Sequence, residues 1–235
     1  MLGDENGLIP STMGKPMAGY SGGEIVSSDE FDSDKLNINW QWNHNPVAEG
    51  WSLTDRPGFM RLKTTRVVDN LYLAPNTMTQ RMEGPECTAS VKLDIAKMKD
   101  GDVCGFSAFN GDAGVVKVVK EGKKAFVVAD SESVKLTDKE KKVTDVTIKE
   151  AFRQELKRGT KSVYFRIDAN FRPGTDLATL YYSADGNTWT PLIKDYKMIF
   201  DYRRFFMGSK FAIFNYATKQ TGGYVDVDWF RYQKK

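Results

Sequence analysis

The chain has 235 residues and a net charge of +3, which comes from 34 basic and 31 acidic side chains. A single all-β domain can reach this length, and so balanced a charge does not favour nucleic acid as a partner. No apolar run approaches the roughly 20 residues of a membrane-spanning helix, so we expect no membrane segment. The first residues also lack the features of a secretion signal, so the signal of an exported protein would lie upstream.

Residues 1–27 differ in composition from the rest of the chain. They are rich in Gly, Pro, Ser and Met and show no sustained hydrophobic period. Such a composition predicts a linker or a disordered tail, of natural or vector origin, rather than a folded element. We therefore expect the folded domain to cover residues 28–235.

Residues 36–64 carry the clearest strand pattern. Its first part alternates between amide side chains and three apolar ones, which are Ile38, Trp40 and Trp42. This alternation predicts a strand with one buried face and one wet face. Pro46 ends the strand because proline lacks the N–H that a central strand donates. Two further strands are predicted at 51–53 and 59–63.

The rest of the chain shows short strand patterns at intervals of about 8 to 12 residues, which is typical of a sandwich or barrel. These predicted strands cover 70–74, 87–95, 103–110, 115–119, 124–129, 143–148, 162–169, 177–182, 188–193, 210–216 and 224–232. The turn at 99–101 predicts a hairpin between the second and third of them. The charged segment 130–159 predicts a solvated hairpin, with a short helix at 151–157 as the alternative.

The two cysteines, Cys87 and Cys104, are predicted to be free thiols. In the hairpin around residues 97–102, Cys104 pairs near Lys92 and Cys87 lies several positions out of register. Cysteines placed in this way cannot meet the Cα separation that a disulfide requires.

The sequence shows no clear catalytic centre. Glycoside hydrolysis normally needs two carboxylates across a cleft, and no Glu-x-Asp-x-x-Glu strand pattern is present. The single histidine, His44, excludes multi-histidine zinc sites and leaves a Ser-His-Asp triad without support. We expect no catalysis by this chain alone. The alternative is a glycosidase or lyase that uses Asp168, Glu83 and Asp226.

Several collinear motifs resemble one family. They are WQWNHNP at 40–46, followed by WSL, RPG and RLKT, then 76–81, 98–102, FAIFNYAT at 211–218 and GGYVDVDWFRY at 222–232. They span roughly 28–232 and are similar to the C-terminal module of glycoside hydrolase family 43 β-xylosidases and arabinofuranosidases. The resemblance implies an all-β, concanavalin A-like jelly-roll β-sandwich of two antiparallel sheets. It also implies a catalytic propeller domain that is missing from this chain, and we expect an extracellular or periplasmic location.

The resemblance further implies a structural calcium ion, because carbohydrate-binding sandwiches often hold Ca²⁺ where the first and last strands meet. Glu30 and Asp32 are expected to share a face at the start of the first strand, with Asp228 near the end of the last strand. A carboxylate in an apolar strand must be paired, hydrogen-bonded or bound to a metal. An ion pair between Asp228 and an Arg or Lys is therefore the alternative.

Polysaccharides are bound by aromatic faces that stack on sugar rings and by polar groups that bind hydroxyls. Candidates of these types are Trp42, Asn43, His44, Trp51, Gln80, Arg81, Phe206 and Tyr216. Trp42 is expected nearer the surface than Trp40, while His44, Gln80 and Arg81 could equally be structural. The assignment of Phe206, or of its neighbour Phe205, is implied by the resemblance, because the β-xylosidases carry a phenylalanine that closes the catalytic pocket in a loop at this place. Core packing is the alternative for either phenylalanine.

The function expected from these observations is a non-catalytic carbohydrate-binding module of a family 43-like glycoside hydrolase. It would bind xylan, arabinoxylan or xylo-oligosaccharides by aromatic stacking and by hydrogen bonds to hydroxyls. The alternative is a purely structural module that completes the active site of the attached five-bladed propeller. A binding module would bind xylan without the propeller, whereas a structural module would show an apolar patch and little affinity for sugar.

Overall fold

The computed structural model describes residue 19 and residues 23–139, 142–200 and 208–235. Within these ranges the chain forms fourteen β-strands and one short 3-10 turn, Ala48–Gly50. The strands are β1 Gln41–Trp42, β2 Trp51–Ser52, β3 Met60–Lys63, β4 Met78–Arg81, β5 Glu86–Asp94, β6 Asp102–Phe109, β7 Ala113–Glu121, β8 Lys124–Leu136, β9 Val143–Glu155, β10 Ser162–Asn170, β11 Leu177–Ser183, β12 Thr190–Lys197, β13 Lys210–Ala217 and β14 Tyr224–Lys234. None of the described helical segments is long and apolar enough to cross a membrane.

The strands form two seven-stranded antiparallel sheets. Sheet A has the order β12-β11-β10-β5-β14-β3-β2, and sheet B has the order β1-β4-β13-β6-β7-β8-β9. Strand alternation creates the layers: in β5 and β10 every second residue is buried and the residues between are half-buried. This result confirms the predicted β-sandwich of two antiparallel sheets.

The main core lies between the two sheets. At its centre the ring of Phe230 packs edge-on against Trp40, Phe106 and Phe211, with ring centroids 5.0 to 6.3 Å apart. All four side chains are at most 6% exposed. Aromatic side chains of this size provide much of the apolar area that a sandwich core buries.

A second, smaller core lies on the outer face of sheet B, beneath residues 65–77, which we call the covering loop. Leu71 and Ala74 of this loop pack against Val103, Phe214 and other apolar residues of the sheet. Asn76 holds one end of the loop, because it accepts a hydrogen bond from Val47 N and donates one to Val47 O. Much of the outer face of sheet B is therefore occupied by the protein's own chain.

Two predictions about the first strands are wrong. Ile38 is 94% exposed, and only Gln41–Trp42 forms a strand in this stretch, so Ile38 does not share a buried face with Trp40. The expected strand at 70–74 is instead part of the covering loop. Its apolar residues are buried by packing on the sheet, and alternation alone does not distinguish that from strand pairing.

The predicted hairpin around residues 97–102 is also wrong. β5 belongs to sheet A and β6 belongs to sheet B, so the turn carries the chain from one sheet to the other. Cys87 and Cys104 are free, as predicted, and both are buried. They lie in different sheets and not in one hairpin, so the register argument behind the prediction does not apply. The alternative helix at 151–157 is wrong as well, because β9 continues to Glu155 in partnership with β8.

Candidate binding site

Three of the predicted sugar contacts are packed into the protein. Trp42 is half-buried and lies against Trp51, with ring centroids 5.4 Å apart, at the edge of the main core. Tyr216 is 2% exposed in the second core, and Gln80 is fully buried. Gln80 accepts a hydrogen bond from Ser27 N and donates one to Ser27 O, so it fixes the incoming chain. Gln80 and Tyr216 are therefore closed to a sugar, whereas Trp42 keeps part of its ring at the surface.

Asn43 and His44 anchor the covering loop. His44 Nε2 donates to the carbonyl oxygen of Tyr72 at 2.6 Å, and Asn43 Nδ2 donates to the same oxygen at 3.4 Å. The imidazole also packs edge-on against the Tyr72 ring at 5.7 Å. These contacts favour the alternative in which His44 has a structural role and does not bind a sugar.

Arg81 is exposed and lies in a depression of about 480 Å³ at one end of sheet B, which we call the candidate pocket. Its described lining consists of Gln41, Arg81, Met82, Phe171, Ser209 and Lys210, with Gly84 and Gly208. β1, β4 and β13 bring these residues together, because Gln41 pairs with Thr79 and Lys210 pairs with Arg81. Sequence reasoning placed Gln41 on the polar face of its strand but did not connect it with Lys210 or Phe171.

The candidate pocket is positively charged. Lys210 is half-buried and donates from Nζ to Gln41 Oε1 at 2.9 Å. Burial lowers the pKa of Lys210 and the nearby Arg81 guanidinium lowers it further, because both disfavour the charged ammonium. Among the described residues, no carboxylate forms an ion pair with Arg81 or Lys210. Phe206 lies outside the described residues.

The three predicted calcium ligands are not brought together. Glu30 Oε1 pairs with Arg231 at 2.9 Å, and Asp228 Oδ2 pairs with Lys92 at 2.5 Å. Across the described ranges, no group of three His, Cys, Asp or Glu side chains could hold a metal ion. Asp29 binds protein donors instead, since its carboxylate accepts from Phe31 N and Trp40 Nε1.

These residues therefore do not fit calcium in the expected way, and Asp228 takes the ion-pair alternative. Calcium itself stays a prediction. Melting with and without a chelator tests it, and an unchanged melting temperature would contradict it.

The three acids named for an alternative catalytic role are engaged in structural contacts. Asp226 is 3% exposed and accepts hydrogen bonds from Arg56 and Arg61. The Tyr232 hydroxyl donates to Glu83 at 2.7 Å and lowers the pKa of that carboxyl. Asp168 accepts from Thr88. A glycosidase acid needs a raised pKa, so the arrangement of Glu83 does not favour that role.

Several known proteins are similar to this chain in sequence or in fold. The chain is similar to a β-xylosidase of Formosa agariphila, with 29% identity over 94% of this chain and 37% of that protein. A bifunctional GH43-CE protein from Bacteroides eggerthii has 36% identity and a TM-score of 0.78 over 98% of this chain and 28% of its own. An engineered GH43 hydrolase with endo-xylanase and exo-arabinofuranosidase activity has 29% identity and a TM-score of 0.86, over 99% of this chain and 46% of its own.

The chain thus spans less than half the length of each of these proteins. The family profile described as "Beta xylosidase C-terminal Concanavalin A-like domain" matches residues 28–233, which is nearly the whole sandwich. The chain therefore belongs to the family of C-terminal concanavalin A-like domains of β-xylosidases.

Proposed function

We propose that the chain is the non-catalytic accessory module of a family 43 enzyme that degrades xylan-type polysaccharides outside the cell or in the periplasm. In this proposal the module contacts the polysaccharide through the candidate pocket. The observation that carries the proposal is the exposed Arg81, which lies with Gln41 and Lys210 in a depression beside the half-buried Phe171 ring. The relatives support the substrate class, since one is named a β-xylosidase and another has endo-xylanase activity.

The pocket favours hydrogen bonding over extended stacking. Guanidinium, ammonium and amide groups donate to sugar hydroxyls, and one apolar wall suits the face of a single ring. Tyr216 cannot take part without repacking, because it lies beneath the covering loop, and the contact of Trp42 with Trp51 limits the ring surface that Trp42 can offer. Binding at this site is therefore expected to be moderate and sensitive to the loss of one donor.

Affinity electrophoresis of the purified chain in gels that contain xylan, arabinoxylan or β-glucan tests the proposal. We expect retardation by the xylans and not by β-glucan. Arg81→Ala should reduce the retardation, and Trp42→Ala should change it only as far as it changes folding. Turnover of xylo-oligosaccharides by the purified chain would instead favour a catalytic role.

A second candidate function is purely structural, and one observation favours it. Ile199 and Phe200 follow β12 at the surface and are each 56% exposed, which is unusual for adjacent large apolar side chains. In a larger enzyme this pair would pack against the catalytic propeller. No retardation in any gel, together with binding of the chain to a separately expressed family 43 catalytic domain, would establish this role instead. Ile199→Ser with Phe200→Ser should then weaken the binding.

A further inference from the structure

We infer that the candidate pocket recognises a carboxylate-bearing sugar, namely a hexuronic acid branch on a xylan-type chain. This inference rests on the proposed function and specifies its ligand. It begins with the pairing of β4 and β13, in which Arg81 and Lys210 are direct cross-strand partners. Like charges directly opposite each other in a sheet destabilise it.

Several basic residues in the strands of sheet A are paired with acids. On sheet A, Lys92 has Asp228, Arg231 has Glu30, and Arg61 has Asp226. In the described part of the chain, Arg81 and Lys210 have no such acid, and the polar contact of Lys210 is the neutral amide of Gln41. When a protein leaves an unfavourable local arrangement, such as two adjacent like charges, without a compensating contact, the place is most often a functional site. In this inference, a ligand supplies the anion that these two cations lack among the described residues.

The shape and lining of the pocket indicate what carries that anion. Its volume of about 480 Å³ lies within the ordinary range for small-ligand sites. Phe171 and Met82 form an apolar wall on which one pyranose face can pack, while Gln41 and Ser209 offer groups for hydroxyls. A planar guanidinium binds a carboxylate with two parallel hydrogen bonds, and the ammonium adds a second positive charge.

An acidic side chain of a protein partner would satisfy the charge but would use little else in the pocket. A ring that bears both a carboxylate and hydroxyls uses the apolar wall, the amide and the two cations together. For this reason the chemistry of the pocket favours a uronic acid over an acidic peptide.

The test compares two probes that differ only at one carbon. One is a xylo-oligosaccharide with a single glucuronic acid branch, and the other is the same molecule with the carboxyl group reduced to an alcohol. Titration calorimetry is expected to show that the chain binds the acidic probe about tenfold more tightly or better, as a charged hydrogen bond allows. Arg81→Gln should remove this preference and melt no lower than the unchanged chain, since it also removes the like-charge repulsion.

Lys157→Gln is the matched control, because it removes one positive charge from an exposed side chain outside the candidate pocket. It should leave the preference intact. Equal affinity for both probes, or a preference that survives Arg81→Gln, would overturn the inference while leaving xylan binding standing. Equally tight binding of a glutamate-rich peptide would identify a protein side chain as the occupant and also overturn it. Failure to bind either probe would overturn both the inference and the proposed binding function.

Discussion

Lys117, Asp130 and Glu132 form a buried group of charges on sheet B, next to the covering loop. Lys117 Nζ lies 2.7 Å from Asp130 Oδ2 and 3.0 Å from Glu132 Oε1, and all three side chains are at most 7% exposed. Glu132 also accepts a hydrogen bond from Leu71 N, which ties the covering loop to the sheet. One cation therefore offsets two carboxylates that water cannot reach.

Lys117→Met should destabilise the protein strongly, because it leaves Asp130 and Glu132 buried without a counter-charge. Loss of one partner from a buried pair typically costs about 3 to 5 kcal/mol. Lys124→Met is the matched control, since Lys124 makes an exposed pair with Glu155 at 2.8 Å, and such pairs contribute at most about 1 kcal/mol. Urea unfolding of both variants measures the difference. Similar small losses in the two would contradict the structural importance of the buried group.

Asp102 makes the free energy of unfolding fall as the pH rises, which is opposite to the usual effect of a carboxyl group. Burial raises the pKa of Asp102 to about 6, although Lys99 N donates to its Oδ2 at 2.6 Å. Burial likewise raises the pKa of Asp130 to about 6. The pKa of each carboxyl in the unfolded chain is near 3.8. Between this pKa and the native pKa of about 6, the native state therefore binds more protons than the unfolded state. Their contribution to stability is thus present below about pH 4 and is lost as the pH rises to about 6.

Asp102→Asn should therefore flatten the fall in unfolding free energy between about pH 4 and pH 6, by up to about 3 kcal/mol, since it removes the carboxyl whose pKa is raised to about 6. Denaturant titrations at several pH values measure this change. Asp185→Asn is the control, because hydrogen bonds from Thr188 N and Asn187 N lower the pKa of Asp185 to about 2. That variant should alter the profile only below about pH 4. An unchanged slope in the Asp102 variant would show that the raised pKa is wrong.

At the scale of elements, the centre of sheet B depends on a glycine. Gly105 lies in β6, between β13 and β7. A Cβ atom there would lie 2.3 Å from Val116 O and 2.8 Å from Lys117 Cα, both of which are backbone atoms that cannot move aside. Only the absence of a side chain allows β7 to approach at this point.

Gly105→Ala is consequently expected to destabilise the chain by about 3 kcal/mol, the upper part of the usual range for overpacking. Gly23→Ala provides the comparison, because no heavy atom lies within 4 Å of the Cβ that it would gain. Thermal melting of the two variants distinguishes them. If both melt like the unchanged chain, sheet B has more room than its geometry shows.

The elements also show what the sequence can and cannot determine. β10 and β14 were predicted nearly to their ends, because alternation and turn residues are local signals. The turn at 97–102 was assigned to the wrong pairing, since the local pattern of a turn does not reveal whether the next strand joins the same sheet. Arg81 was placed in the site by its chemistry, but Lys210 and Gln41 come from other strands and meet it only after folding. Gln80 and Tyr216 have suitable chemistry and are nevertheless buried. Gln80 is bound to the incoming chain at Ser27 and Tyr216 lies beneath the covering loop, and nothing local in the sequence predicts either contact.

For the whole molecule, the arrangement of the two sheets places one thiol in each. Cys87 is 1% exposed in β5 of sheet A, and Cys104 is fully buried in β6 of sheet B. Burial raises the pKa of Cys87 to about 11 and also raises the pKa of Cys104, so neither thiol is ionised near neutral pH. Since the thiolate is the reactive form, both groups should be inert in the native state.

The two thiols therefore report whether the sandwich unfolds as one unit. The sheets share a continuous core in which Phe106 of one packs against Phe230 of the other at 6.3 Å, so neither sheet keeps its buried face without the other. We expect a thiol reagent to modify both cysteines at the same denaturant concentration, coincident with the loss of the β-sheet circular dichroism signal. Cys87→Ala and Cys104→Ala assign each signal to its sheet. Modification of one cysteine well before the other would mean that one sheet opens independently, and the single shared core would not then govern the stability of the whole chain.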